Sequence, residues 1–249
     1  MGFNGVRKHQ KIEDERFLYW CDKKGLLVWS EMASTYEFSD EAVANLTNEW
    51  LEIIQQHYNH PSIVTWVPFN ESWGIPNILT DAKQQAFTES IYYLTKSLDP
   101  MRPVIVNDGW EHTISDIITL HDYEEYKEAF LDRYSNKDKI LTNEIPHNNH
   151  KYVFAEGYQY KGQPIIISEY GGIAFNDDEG WGYGNQVESE EEFLNRYRSV
   201  TDAIKSLPYI TGYCYTQITE VQQEINGLLK ADRTPKISLE KIRRVNDSI

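Results

Sequence analysis

Two glutamates in this 249-residue chain stand where side chains can do chemistry. Each closes a strongly apolar run and is followed at once by turn-forming residues: Ile63-Val-Thr-Trp-Val-Pro-Phe-Asn-Glu71-Ser-Trp-Gly74, and Pro164-Ile-Ile-Ile-Ser-Glu169-Tyr-Gly-Gly172. A carboxylate at the mouth of an apolar run needs compensation, because desolvating its charge is costly unless it is paired or protonated. Two carboxylates in unequal environments provide one explanation, since glycoside hydrolysis uses one as proton donor and the other as nucleophile. A structural ion pair with Arg7 or another base provides a second. Spacing alone leaves both open.

Positioning such residues requires regular elements. Seven short apolar runs, Phe3–Arg7, Leu26–Glu31, Ile63–Asn70, Pro103–Asn107, Asp116–His121, Pro164–Glu169 and Thr211–Tyr215, alternate with longer segments of helical period. That order predicts βα units on a parallel sheet. Polar residues recur at the C-terminal ends of the runs: Arg7 and His9, Glu31, Asn70 and Glu71, Asn107 and Asp108, His121, and Glu169. In a parallel α/β barrel such ends converge on one rim, and this length is ordinary for one barrel, so a single domain over residues 1–249 is expected.

The helices have their own signals. Asp40–His57 places Val43, Leu46, Trp50, Ile53 and Ile54 on one face behind Ser39 as N-cap. Asp81–Leu98 does the same with Phe87, Ile91, Leu94 and Leu98 and is stopped by Asp99-Pro100. Ser189 to Glu192 is a capping-box pattern that opens a helix burying Phe193, Tyr197, Val200 and Ile204. Gly25 is the expected stop for a helix over Phe17–Lys24. The irregular stretch Tyr123–Gly162 reads either as a functional loop carrying some helix or as a solvated loop.

Composition narrows the partners. With 24 basic and 39 acidic residues the net charge is −15, which repels a phosphate backbone, and nucleic acid is not an expected partner. The 17 tyrosines and 7 tryptophans suit stacking on sugar rings as well as ordinary packing. Trp73, Trp110 and Tyr170 are candidates for a stacking wall, whereas Trp66, in mid-strand, is expected in the core. Cys21 and Cys214 lie in no metal-binding spacing, and His57 and His60, at a helix end, read as solvated capping residues. Neither a metal nor a cofactor is expected. No basic-then-apolar leader opens the chain and no apolar run approaches the roughly 18 residues of a membrane span, so a cytoplasmic protein without membrane contact is expected.

Four ordered motifs carry a family resemblance. Asn59 to Ser72, with Phe-Asn-Glu71-Ser at its end, closely resembles the acid/base motif of glycoside hydrolase family 2, the family of β-galactosidases, β-glucuronidases and β-mannosidases. Ile167-Ser-Glu169-Tyr-Gly-Gly resembles its nucleophile motif. Gly2-Phe-Asn-Gly-Val-Arg7-Lys-His9 and Asp22 to Glu31 look like the family's strand with Asn-x-Val-Arg and the segment after it. Gly212 to Gln217 and Asn226 to Lys236 fit its last strand and the loop beyond. The similarity covers nearly the whole chain.

The resemblance implies a TIM (β/α)8 barrel and a retaining mechanism, with Glu71 as general acid/base and Glu169 as nucleophile. It implies that Asn70 binds the sugar 2-hydroxyl and that Arg7 orients Glu169. His9 and His121 become candidates for sugar contacts, although His9 falls one residue short of the usual histidine position. In the family the acid/base ends the fourth strand and the nucleophile the seventh, whereas here their runs are third and sixth. The implied barrel therefore lacks its first βα unit and the β-sandwich domains that precede it. Open edges at Phe3–Arg7 and Thr211–Tyr215 are then expected to favour self-association. Members that hydrolyse glucuronides carry Asn-x-Lys where this chain has Glu224-Ile225-Asn226, which favours a neutral sugar, galactose first, as the carbohydrate substrate. The competing expectation is a barrel remnant that binds carbohydrate with little turnover.

Overall fold

Among the described residues the seven apolar runs give eight strands, because Pro68, which has no N–H to give to a ladder, divides the third run. A computed structural model of the protein describes residues 1–148, 150–176 and 179–248. The strands are β1 (Gly5–Arg7), β2 (Leu27–Glu31), β3 (Ile63–Val67), β4 (Phe69–Asn70), β5 (Asn107–Asp108), β6 (Ile118–His121), β7 (Ile165–Gly171) and β8 (Ile210–Thr216). The helices are α1 (Glu15–Lys24), α2 (Asp40–His57), α3 (Ala82–Leu98), α4 (Lys127–Ser135), α5 (Lys137–Leu141), α6 (Glu190–Lys205) and α7 (Leu239–Asp247).

The chain forms two compact units, one of Asn4–Leu120 and Asp138–Ile165, the other of Met1–Phe3, His121–Lys137 and Ile166–Ile249. In the larger unit β1, β2 and β3 form a parallel sheet in that order, with Arg7 opposite Trp29 and Glu31 opposite Val67. β4 and β5 pair in parallel, which sets Asn70 opposite Asp108. The core behind these strands joins Leu46, Trp50 and Ile54 of α2 to Trp66 and Phe69. Trp66 is fully buried as expected, with its Nε1–H donating to Asp99 Oδ2 at 2.9 Å and its ring edge-on to Trp50.

Local signals account for the helix ends. Ser39 accepts from Ala42 N–H, Ser189 accepts from Glu192 N–H, and Glu192 reaches back to the N–H of Glu188. Gly25 ends α1 in the left-handed conformation at φ 70°. In the smaller unit β7 pairs with β8, and α6 buries Phe193, Tyr197, Val200 and Ile204.

Of the two readings of Tyr123–Gly162, the loop carrying some helix is the one found, with α4 and α5 burying Phe130, Tyr134, Ile140 and Leu141. Two differences from the sequence reading have physical causes. α3 buries polar Gln84, Thr88 and Thr95 beside Ile91, and each has a partner: Asn77 N–H, Thr113 Oγ1 and the Trp50 indole. His57 is not a solvated cap. It is buried, and burial together with the neighbouring His60 holds its pKa below the usual histidine value. Among the described residues no helix is long and apolar enough to cross a membrane.

Candidate active site

Glu71 follows the last residue of β4, and the backbone turns sharply there. Its N–H donates to Asp108 O at 2.9 Å, and Trp73 N–H closes the turn onto Asn70 O at the same distance. The β4–β5 pairing brings a second pair of strand-end polar residues, Asn107 and Asp108, beside it.

Arg7, at the end of β1, organises this cluster. Its Nε lies 2.8 Å from Glu31 Oε2 and 2.6 Å from Asp108 Oδ2, and both carboxylates are fully buried. Its Nη2 donates to Asn70 Oδ1 at 2.7 Å. Guanidinium charge thus offsets the desolvation of two acids and fixes the amide plane of Asn70. The consequence is chemical: Asn70 is fully buried, its oxygen is taken, and its Nδ2 has no hydrogen-bond partner among the described residues. A buried unpaired amide costs about 1–3 kcal/mol, so a ligand hydroxyl at that point gains what the free protein lacks. His9 is exposed at the edge of the cluster, its Nδ1 3.3 Å from Glu31 Oε1.

Trp73 is half-exposed and available for stacking. Trp110 is partly buried, with Lys151 Nζ 5.0 Å from its ring centroid.

Glu169 lies in β7 of the smaller unit, where both faces of the strand are covered. The Tyr123 hydroxyl donates to Glu169 Oε2, and His121 Nδ1 lies 3.4 Å from the same oxygen. Burial, followed by the charge of Glu169, pushes the Tyr123 phenol well above its usual range, so it remains a proton donor. The Tyr123 ring stacks on Tyr183 with centroids 3.4 Å apart and planes 6° from parallel. Glycine makes this packing feasible: a Cβ on Gly172 would fall 2.4 Å from the Tyr183 ring, and one on Gly171 2.2 Å from Tyr215. Both glycines also have positive φ, 88° at Gly171 and 58° at Gly172. Next to Tyr123, Asp122 pairs with Arg133. Burial raises the Asp122 pKa and the guanidinium opposes that shift.

One expected site residue is displaced. Tyr170 belongs to the core, because successive side chains of β7 point to opposite faces and that alternation turns it away from Glu169. It is fully buried, its hydroxyl is 2.9 Å from Thr201 Oγ1 of α6, and its ring is edge-on to Tyr213 and Tyr215. Tyr123 was not singled out in the sequence. The available signal was its place two residues beyond the strand-end His121.

After β8, Gln217 Nε2 donates to Glu224 Oε2 at 2.9 Å and to Asn226 Oδ1 at 2.8 Å. Asn226 is fully buried and its Nδ2, like that of Asn70, has no partner among the described residues. Lys236 Nζ is held by Glu220 and by Ile225 O.

The family model for "Glycosyl hydrolases family 2, TIM barrel domain" matches residues 1–249. A β-glucuronidase of Chlorocebus aethiops is 25% identical over 226 residues, 85% of this chain and 32% of that protein. A β-galactosidase of Thermoanaerobacter pseudethanolicus is 26% identical over 200 residues, 75% of this chain and 27% of that protein. The chain thus spans about a third or less of the length of these two relatives. Among solved structures, a β-galacturonidase of Eisenbergiella tayi bound to galacturonate superimposes with a TM-score of 0.72 at 22% identity, covering 100% of this chain and 46% of that one, which shows a shared fold.

Proposed function

Because the chain belongs to glycosyl hydrolase family 2 through that family's TIM barrel domain, we propose that it cleaves a β-glycosidic bond with retention of configuration, using Glu71 as general acid/base and Glu169 as nucleophile. Protonated Glu71 gives its proton to the glycosidic oxygen as the Glu169 carboxylate bonds to the anomeric carbon, and the aglycone leaves as an alcohol. Water then attacks that carbon, Glu71 takes the water's proton, and Glu169 is released. Tyr123 and His121 orient the nucleophile, and Arg7 fixes Asn70 so that its free N–H meets the 2-hydroxyl. His9, Trp73 and Trp110 are proposed to contact substrate beyond that hydroxyl.

The observation that best supports the reading is the buried, partnerless Nδ2 of Asn70 directly before Glu71. A residue that only capped a strand would have both ends of its amide satisfied. For the sugar we propose a neutral β-glycoside, galactose first. Glu224 places a carboxylate in the loop after β8, and the Lys236 ammonium is paired with Glu220, which weighs against a uronic acid there. The relatives named β-glucuronidase make the uronide the second reading to test.

The test is incubation with 2-fluoro β-galactoside and 2-fluoro β-glucuronide, followed by intact-mass and peptide mass spectrometry. An adduct on Glu169 from the galactoside alone supports the proposal. An adduct from the glucuronide alone moves the specificity to uronides, and an unmodified chain with both probes favours a remnant that binds without turnover.

A further inference from the structure

The turn that carries Glu71 is strained, and a buried side-chain clamp holds it. Glu71 and Ser72 are consecutive non-glycine residues at φ 50° and 59°, a region that L-residues enter against steric resistance. Glu111, a member of the clamp, is itself at φ 49°. Such conformations persist only where the surroundings over-determine them, and they concentrate at functional sites.

Ser72 is the point of attachment. It is buried, its N–H donates to Asn107 Oδ1 at 3.0 Å, and its hydroxyl accepts from Asn107 Nδ2 at 3.0 Å. The same hydroxyl donates to Glu111 Oε2 at 2.5 Å. Asn107 Nδ2 also donates to Trp110 O at 2.8 Å, so this one amide binds both the backbone and the side chain of Ser72 and is itself anchored. Lys151 Nζ, 3.3 Å from Glu111 Oε1, balances the carboxylate. Packing alone does not require these groups: three buried polar side chains that satisfy one another specify one backbone geometry, whereas apolar residues would fill the same volume.

We propose that Ser72, Asn107 and Glu111 form a positioning device that keeps Glu71 in the left-handed turn from which its carboxyl reaches the glycosidic oxygen. The inference rests on Glu71 being the general acid. Without the clamp Ser72 relaxes toward negative φ and carries Glu71 with it, and proton transfer requires hydrogen-bond reach to the leaving oxygen. A misplacement of about 1 Å at such a group lowers rate by about 10²-fold. The effect should fall on the acid step, so it should depend on how much protonation the leaving group needs.

The experiment compares kcat/KM for phenyl and dinitrophenyl β-galactosides across the wild type and E71Q, S72A, S72G, E111Q and E111A. Glu71→Gln should depress the phenyl substrate far more than the dinitrophenyl one. Ser72→Ala should lower the phenyl value by roughly 10- to 100-fold and the dinitrophenyl value by less than about 3-fold, because a good leaving group needs little protonation. Ser72→Gly should be milder than Ser72→Ala, since glycine occupies left-handed φ without steric cost. Glu111→Gln, which keeps an acceptor for the Ser72 hydroxyl, should lie between the wild type and Glu111→Ala. A crystal structure of Ser72→Ala should show Glu71 outside the left-handed region.

If Glu71→Gln discriminates between leaving groups while Ser72→Ala lowers both substrates equally, the clamp has no positioning role and the proposal fails alone. It also fails if Glu71 keeps its φ near the present value in the Ser72→Ala structure. If the wild type turns over neither galactoside, the phenyl and dinitrophenyl β-glucuronides replace them and the same comparisons decide. If Glu71→Gln does not discriminate between leaving groups, or neither sugar is turned over, the assignment of Glu71 falls and the clamp's role falls with it.

Discussion

Replacing Asn70 by alanine isolates the hydrogen bond on which the functional reading leans most. In the free protein Arg7 Nη2 holds Asn70 Oδ1 at 2.7 Å, and flipping the amide would set its NH2 group against the guanidinium. Nδ2 is therefore aimed and unpaired. Leaving such a group buried costs about 1–3 kcal/mol, and a sugar 2-hydroxyl that meets it recovers that amount. At about 1.36 kcal/mol per factor of ten, the contact is worth about 5- to 160-fold in kcat/KM. Asn70→Ala also removes the bond to Arg7, which disturbs any substrate equally, so a cycle is needed. The assay is kcat/KM of wild type and Asn70→Ala on an aryl β-galactoside and its 2-deoxy counterpart. Asn70→Ala should lose the factor above on the hydroxylated substrate in excess of its loss on the deoxy one, mainly in kcat, because the contact strengthens in the transition state. Equal losses on both substrates would show that the Nδ2 atom meets no 2-hydroxyl, and the reasoning from the orphaned amide would be wrong.

Tyr123→Phe removes a hydrogen-bond donor from Glu169. Bonds to charged groups contribute about 1.5–3 kcal/mol, so kcat/KM should fall by about 10- to 160-fold. An unchanged kcat/KM would speak against the contact. Arg7→Met leaves the buried carboxylates of Glu31 and Asp108 without this cation and should cost about 3–5 kcal/mol in urea unfolding. Adding Glu31→Gln and Asp108→Asn should restore part of that loss, and a single-variant cost under about 1 kcal/mol would contradict the pairing. His57 has a pKa held below 6.5 by burial and by His60, so the unfolded chain binds the extra proton as pH falls. Its contribution to stability is therefore complete above about pH 6.5 and declines below it, and His57→Leu should flatten that part of the stability–pH curve. A slope unchanged in the variant would show that the imidazole is not the titrating group.

What was legible in the sequence had local causes. Strand ends at Arg7, Glu31 and Asn70, and helix caps at Ser39, Gly25 and Ser189, follow from apolar runs, turn residues and side chains that reach two or three positions along the chain. Helix α3 shows where that reasoning stops. Its buried face includes Gln84, Thr88 and Thr95, which a hydrophobic pattern assigns to solvent, and they are buried because Asn77, Thr113 and Trp50 supply partners. His57 was misplaced for a related reason. Position near a helix end says nothing about what covers the end, and burial, not capping, sets its protonation.

The two tyrosines near Glu169 make the physical distinction sharper. Tyr170 adjoins the glutamate in sequence, and adjacency suggested a place beside the sugar. Yet a strand sends neighbouring side chains to opposite faces, so the residue after an active carboxylate is the one its own backbone turns away. Tyr123 touches Glu169 from 46 positions earlier in the chain, and Tyr183 holds Tyr123 from the other side. Ser72 repeats the pattern: it is adjacent to Glu71, but its hydroxyl points to Glu111, 39 positions away. The carboxylates themselves can be found by what surrounds them in sequence. The groups that would orient them lie on other segments of the chain, and only the fold brings those segments together, so Tyr123→Phe and Ser72→Ala probe what the motifs leave undetermined.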